Sequence, residues 1–302
     1  MATTESASKT SDAALAPPCS VIVVNYNAGD LLLQCIAAAL VNTPVAEVIL
    51  VDNASADGSV EKVQAKYPQI KIIQNAENQG FAVAANQGLE AACGEWLLLL
   101  NPDCLLQADT LEGMLSVLGD YPQVGMAGCR IMNPDGSEQR GCRRQLPTLG
   151  SGLRKASGRQ GAGSMDLYQQ ALPEHPLMVE AISGAFMLVR RQGLDAVGLL
   201  DEGYFMHCED LDWCRRFIDA GWKILFVPQI EIVHHQGSCS TSTPVRVSWH
   251  LHRGMIRYYR KFLQQEHPAI TSMMVIPGIY ARFLALNVGT IFKRLLGRMR
   301  RG

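Results

Sequence analysis

A chain of 302 residues, 48% hydrophobic and with a formal net charge of −1, can bury a full core as one large domain and has no compositional reason to be disordered. The near-neutral balance argues against a general polyanion binder, so no nucleic-acid partner is expected. Nine scattered cysteines without closely spaced ligand pairs, and an N-terminus without a charged-then-apolar pattern, lead us to expect buried free thiols in a reducing, cytoplasmic setting.

Residues 1–18 are rich in Ala, Ser, Thr and Pro and read as a disordered leader, so folding is expected to begin near Cys19. Residues 20–24 form an apolar β-branched run ending at Asn25, Tyr26 and Asn27, and a helical stretch over 31–40 follows. The unit recurs. A strand over 47–51 ends at Asp52 and Asn53, and Asp57 with Gly58 opens a helix towards Tyr67. A strand over 70–74 then leads through Asn78 and Gly80 into a helix from Phe81 to about Ala92. A fourth strand, 95–100, stops at Asn101, Pro102 and Asp103 before a helix around 110–118. Alternating strands and helices predict an α/β fold: a mostly parallel sheet with helices on both faces, and ligands beyond the carboxyl ends of the strands. Single Asn, Asp and Gly residues there are equally ordinary turn formers. Four such clusters in four successive units tip the reading towards a site.

Between 143 and 179 the pattern weakens into Gly, Ser, Gln and basic residues, which predicts a mobile insertion. Patterning resumes with an apolar segment over 185–189 and an acidic cluster, Glu209, Asp210 and Asp212. A helix to Ala220 is closed by Gly221, and strands follow over 223–227 and 231–233, the second running into His234 and His235.

The first strand is followed by neither a Gly-x-Gly-x-x-Gly fingerprint nor a Gly-Lys-Ser/Thr loop, which removes the usual dehydrogenase and P-loop explanations of such a sheet. A bound nucleotide would be held by side chains, with Asp52 placed to accept from base or ribose. Asp103, after four leucines, offers a hard oxygen ligand for a divalent cation at the mouth of a buried strand; a turn or helix cap is the alternative. The three carboxylates at 209, 210 and 212 sit where a helix macrodipole favours the ionised state, and either capping or general-base work explains them. Adjacent strand residues face opposite ways, so one of His234 and His235 is expected in the site; imidazole tilts a choice between Mg2+ and Mn2+ towards Mn2+.

Together the strings Val23-Val24-Asn25-Tyr26-Asn27, Val51-Asp52-Asn53-Ala54-Ser55, Asn78-Gln79-Gly80-Phe81-Ala82 with Asn86 and Gly88, and Leu100-Asn101-Pro102-Asp103 resemble the family-2 inverting glycosyltransferases. Ser183-Gly184-Ala185, Asp201-Glu202, Glu209-Asp210-Leu211-Asp212 and His234 with Gly237 continue in the family's order, so the resemblance runs from about Cys19 to Phe262. It implies a GT-A fold over 19–262, a nucleotide-diphosphate sugar donor and a divalent metal. By the same token Asn25, Tyr26, Asn27, Asp52, Asn53, Asn78, Gly80, Phe81, Asn86, Asn101 and Gly184 become donor-side residues. Asp103 and His234 become metal contacts, Asp210 the catalytic base, and Glu209 and Asp212 acceptor-side groups. Asn101 stands where a strict D-x-D motif has its first acid, which puts that residue's direct metal contact in doubt. The run from Arg253 to Phe262 looks most like bacterial rhamnosyltransferases of polysaccharide assembly, suggesting a deoxythymidine-diphosphate-rhamnose donor and a glycan or lipid-linked acceptor.

Residues 270–292 are largely apolar but carry Pro277 and Arg282, and Lys293, Arg294, Arg298, Arg300 and Arg301 follow. A central Arg disfavours a spanning helix, so 263–302 is expected to form a helical extension lying in the plane of the membrane, its basic end on anionic lipid at the inner face. Packing on the catalytic domain, or on a second subunit of a homo-oligomer, is the alternative. Two competing functions are an inactive nucleotide-sugar-binding protein, which the acidic cluster argues against, and a nucleotidyltransferase, which the missing Gly-rich, Lys-bearing loop argues against.

Overall fold

The computed structural model describes residues 19–156, 165–235 and 244–299. The expected leader over 1–18, part of the expected insertion (157–164), Gly237, Arg300 and Arg301 lie outside them.

The first half follows the alternation of the sequence: β1 (Cys19–Asn25), α1 (Asp30–Leu40), β2 (Val45–Asp52), α2 (Ser59–Lys66), β3 (Lys71–Gln74), α3 (Phe81–Ala91), β4 (Trp96–Leu100), the short β5 (Cys104–Leu105) and α4 (Thr110–Gly119). After these come β6 (Val124–Met132), β7 (Arg143–Arg144), α5 (Leu149–Ala156), β8 (Leu177–Val179), β9 (Ala181–Ile182), β10 (Phe186–Arg190), α6 (Arg191–Val197), α7 (Glu209–Asp219) and β11 (Lys223–His234). Two long helices close the described chain, α8 (Pro244–Tyr258) and α9 (Ala269–Met299), with a π-helical turn at Tyr259–Leu263 and a 3-10 turn at Gln264–Glu266 between them.

The main sheet runs β3-β2-β1-β4-β10-β6-β11-β5, with β8 added to β11. Strands β1 to β4 are parallel, and β11 is parallel to β6; β10 lies antiparallel between β4 and β6, and β5 and β8 are antiparallel to β11. The carboxyl ends of β1, β2, β4 and β11 and the amino end of β10 therefore share one edge. Strands β1 and β4 are buried along their whole length, as expected of parallel strands covered on both faces. This is the expected mostly parallel architecture with helices on both faces.

Three elements differ from the sequence reading. The central strand β6 carries no alternation in sequence. The two strands expected before His234 are one, β11, with an irregularity between Val227 and Glu231. Within the stretch read as an insertion, β7 pairs with β9, and β8 joins the main sheet.

At the C-terminus α9 continues through Pro277 and packs antiparallel on α8. Ser248 meets Asn287, His252 meets Arg282 and Phe283, and Tyr259 meets Ser272. The first two-thirds of α9, Ala269–Gly289, are long and apolar enough to cross a membrane by length and composition.

Candidate functional site

At the end of β1, the fully buried Asn25 directs its amide to Asp52, Ser55 and Ser59 at 2.9–3.0 Å. Asp52 in turn accepts from the Ser55 amide and hydroxyl. Asn27, with φ 54°, accepts from the Ala56 amide. Asn53 donates to Asn78 and to the Gly80 carbonyl, and accepts from Asn75 and from the Gln79 amide. These polar residues thus fasten the β1, β2 and β3 loops to one another, and Tyr26 among them is exposed.

Gly80, at φ 93°, admits the Phe205 carbonyl so closely that a Cβ would lie 2.6 Å from that oxygen, and Phe81 donates its amide to the same carbonyl at 2.7 Å. Asn86 pins α3 to the segment after α6 through the Leu200 amide and carbonyl and the Glu202 carboxylate.

A second group forms where β4, β5 and β11 meet. Pairing of His234 with Cys104 brings the imidazole beside Asp103, with Nε2 3.1 Å from Oδ1. The other face of the ring is fixed by Gln139, whose Nε2 donates to the His234 carbonyl at 2.8 Å. Its Oε1 is thereby left to accept from Nδ1, also at 2.8 Å. That orientation puts the proton on Nδ1, so in the neutral ring the Nε2 lone pair faces Asp103 and the Asn101 amide, 3.4 Å away. Asp103, Cys104 and His234 each offer a ligand atom within 4.8 Å of the others, the one such cluster among the described residues. A carboxylate with an oriented imidazole fits a divalent cation of the Mn2+ kind. The adjacent His235 uses its amide on the Asp103 carbonyl, which ties the two strands together.

The third group is the start of α7, entered through His207 and Cys208 at φ 66° and 72°. Asp210 Oδ1 accepts from the Leu211 amide at 2.8 Å; Oδ2 accepts from the Gly184 amide at 3.4 Å and from Arg144 at 2.5 Å. Arg144 also donates to the Ile182 carbonyl. Burial alone would lower the Arg144 pKa, but the charge and hydrogen bond of Asp210 outweigh it and hold the guanidinium above its ordinary value.

Arg144 and Gln139, set against Asp210 and His234, are candidate residues that the sequence did not disclose. Arg143, next door, faces the opposite way onto Glu138 and the Gln170 and Ala171 carbonyls, as alternation along β7 requires.

Glu209 and Asp212 do not share the position of Asp210. Burial, then the neighbouring Asp210 charge, pushes the Glu209 carboxyl up to about 8, so desolvation overrides the macrodipole expected to ionise it. Asp212, 0% exposed, accepts from Tyr204 and pairs with Arg216 and Lys261 inside the protein.

One short segment joins the second and third groups. The Gly184 amide touches Asp210, and the Ala185 carbonyl accepts the Asn101 amide at 3.0 Å. The mixed α/β sheet thus gathers an acid–imidazole pair and a separate carboxylate at one edge, the edge where open sheets of this kind bind ligands.

Comparison with known proteins makes the class specific. The glycosyl transferase family 2 model matches residues 20–196. The N-acetylglucosaminyl-diphospho-decaprenol L-rhamnosyltransferase of Mycobacterium tuberculosis is 28% identical over 240 residues, covering 74% of this chain and 78% of that protein. The rhamnosyltransferase WbbL of Escherichia coli is 28% identical over 185 residues, 60% of this chain and 68% of its own length. The mannosyltransferase PcManGT of Pyrobaculum calidifontis, solved with GDP-Man and Mn2+, superposes with a TM-score of 0.55 at 19% identity, covering 94% of this chain and 80% of that one. The chain belongs to glycosyl transferase family 2. It is a glycosyltransferase with the GT-A fold and helices appended at its C-terminus.

Proposed function

We propose that this enzyme transfers L-rhamnose, with inversion, from deoxythymidine-diphosphate-rhamnose to a hydroxyl of a glycan or lipid-linked acceptor in cell-surface polysaccharide synthesis. The sugar is carried over from the two rhamnosyltransferase relatives, and a diphospho-lipid acceptor from the name of the mycobacterial one.

In this reading Asp210 is the base: its carboxylate takes the acceptor hydroxyl proton as that oxygen bonds to the anomeric carbon and the nucleoside diphosphate leaves. Inversion needs one such base and no protein nucleophile. The observation that carries the assignment is the Ser183–Ala185 link, which sets Asp210 against the Gly184 amide and Asn101 against the Ala185 carbonyl, so that base and acid–imidazole pair share one rigid support. Asp103 and His234 are assigned to a Mn2+ or Mg2+ ion, which when bound neutralises charge on the departing diphosphate. Asp52, Asn53 and the loops from Asn25 to Asn27 and Asn78 to Phe81 are assigned to the donor, chiefly by shaping the edge on which it lies. Arg144 holds the base in place, and Glu209, as a neutral acid beside Asp210, adds no competing charge below its raised pKa.

The exposed apolar length of α9 and the basic residues after it support attachment at the inner face of the cytoplasmic membrane, where a lipid-linked acceptor is presented.

The test is product identification after incubation with nucleotide sugars and Mn2+ or Mg2+. Nucleoside diphosphate with a glycosylated acceptor is expected, with deoxythymidine-diphosphate-rhamnose as the preferred donor. Release of pyrophosphate would replace this reading with nucleotidyl transfer.

A further inference from the structure

We propose that Arg246, His250 and Arg253, on one face of α8, form the subsite for the diphosphate of a lipid-linked sugar acceptor. The inference rests on the reading of the enzyme as a transferase acting on such an acceptor, and adds to it where the acceptor's charged group is held.

The three residues are spaced i, i+4 and i+7, so they line a single stripe of the helix. The stripe lies along the loop that leads to the base. His250 stacks on Phe205 with ring centroids 4.2 Å apart, and the Arg246 guanidinium stands 5.4 Å from the same ring. Phe205 is the residue whose carbonyl takes the Phe81 amide. One turn further on, α8 comes so close to the loop that a Cβ on Gly254 would lie 2.8 Å from the His207 carbonyl. His207 is three residues before Asp210.

Charge singles out this half of the stripe. Arg257 and Lys261 continue it, and both close on Asp201, whose carboxyl is held well below the usual range despite partial burial. Among the described residues, Arg246, His250 and Arg253 have no carboxylate partner. Burial, and then the charges of Arg246, Arg253 and His207, press the His250 pKa below its ordinary value, which favours the neutral imidazole beside the two guanidiniums. Two guanidiniums without a carboxylate partner suit a polyanionic ligand, and their forks match phosphate oxygens.

The surface beside the stripe identifies which polyanion. Trp249 lies between Arg246 and Arg253 in sequence, is exposed, and packs against Tyr280 and Phe283 of α9. From there α9 exposes Ile270, Met273, Met274, Leu284, Leu286 and Val288. Basic stripe and apolar helix are contiguous, which fits a ligand whose diphosphate is joined to a long hydrocarbon. A nucleotide offers no such tail.

The experiment uses the full chain and an N-acetylglucosaminyl-diphospho-lipid with a short prenyl tail as probe. Arg246→Gln with Arg253→Gln is expected to weaken probe binding by about tenfold or more, the loss of charge-assisted hydrogen bonds, and to leave affinity for the nucleotide donor with Mn2+ unchanged. The paired Arg→Lys variant keeps the charge and should retain most of the binding; unfolding temperatures of all variants matching the wild type establish that the fold is intact. Unaltered probe affinity in the Gln variant would overturn the proposal. So would a parallel loss of donor binding, which would assign the stripe to the nucleotide, or loss of pelleting with phosphatidylglycerol vesicles while probe affinity is kept, which would assign it to bulk lipid headgroups. If the wild type transfers sugar and the Gln variant binds the probe normally, only this subsite falls; if it uses no nucleotide sugar, the transferase reading itself fails.

Discussion

Glu209, Asp210 and Asp212 begin the same helix, and a macrodipole argument treats them alike, yet each meets a different environment. Asp212 is enclosed by Tyr204, Arg216 and Lys261 and supports the fold. Asp210 reaches the edge of the sheet beside Gly184 and Arg144. Glu209 is buried with Oε2 lacking any hydrogen-bond partner, and its pKa rises to about 8. Because that folded value lies above the unfolded one, the folded state holds a proton that the unfolded state has lost between about pH 4.5 and 8, and stability contributed by the neutral acid drains away as pH rises through this window. Glu209→Gln should therefore match the wild type in unfolding free energy near pH 4, and become the more stable of the two by pH 9. Denaturant unfolding across that range checks this; parallel pH profiles would contradict a buried neutral Glu209.

At the scale of elements, the βα units up to α4 were legible because continuous apolar runs such as 97–100 end in polar residues at the same point of each unit. Strand β6 was not, for a packing reason. Gly125 and Gly128 interrupt its apolar pattern, and a Cβ at either would press on Phe217 and Trp222 or on Ile182 at about 3 Å. The residues that bring strand and helix together are those that hide the strand. Likewise β11 read as two strands because Pro228 and Gln229 break its run. Asp103, His234 and Asp210 were singled out because they stand at element ends, whereas Arg144 and Gln139 meet partners 66 and 95 residues away, which local pattern does not encode. Gln139 gives the element scale its prediction. It orients His234 across the β11 edge, so Gln139→Leu should weaken Mn2+ binding in the presence of nucleotide by about 10- to 100-fold while donor specificity is unchanged. Titration with Mn2+ followed by calorimetry measures it, and wild-type affinity would remove Gln139 from that role.

For the molecule as a whole, the C-terminal hairpin changes the argument about the membrane. The sequence counted Arg282 against a spanning helix, but its guanidinium lies 2.9 Å from His252 of α8 and so is turned inward. What α9 turns outward is apolar, with Met273 and Met274 about three-quarters exposed. Leu284→Glu with Val288→Glu should abolish pelleting with anionic vesicles and leave transfer to a soluble acceptor intact; undiminished pelleting would mean that this face does not meet lipid. The proposed event is sugar transfer at the sheet edge where Gly184 meets Asp210. Turnover of Asp210→Asn, measured beside its metal-dependent donor binding, tests that event most directly. A fall of about a hundred- to ten-thousandfold in transfer with donor binding retained is the expected result, and near-normal turnover would contradict the role of Asp210 as base.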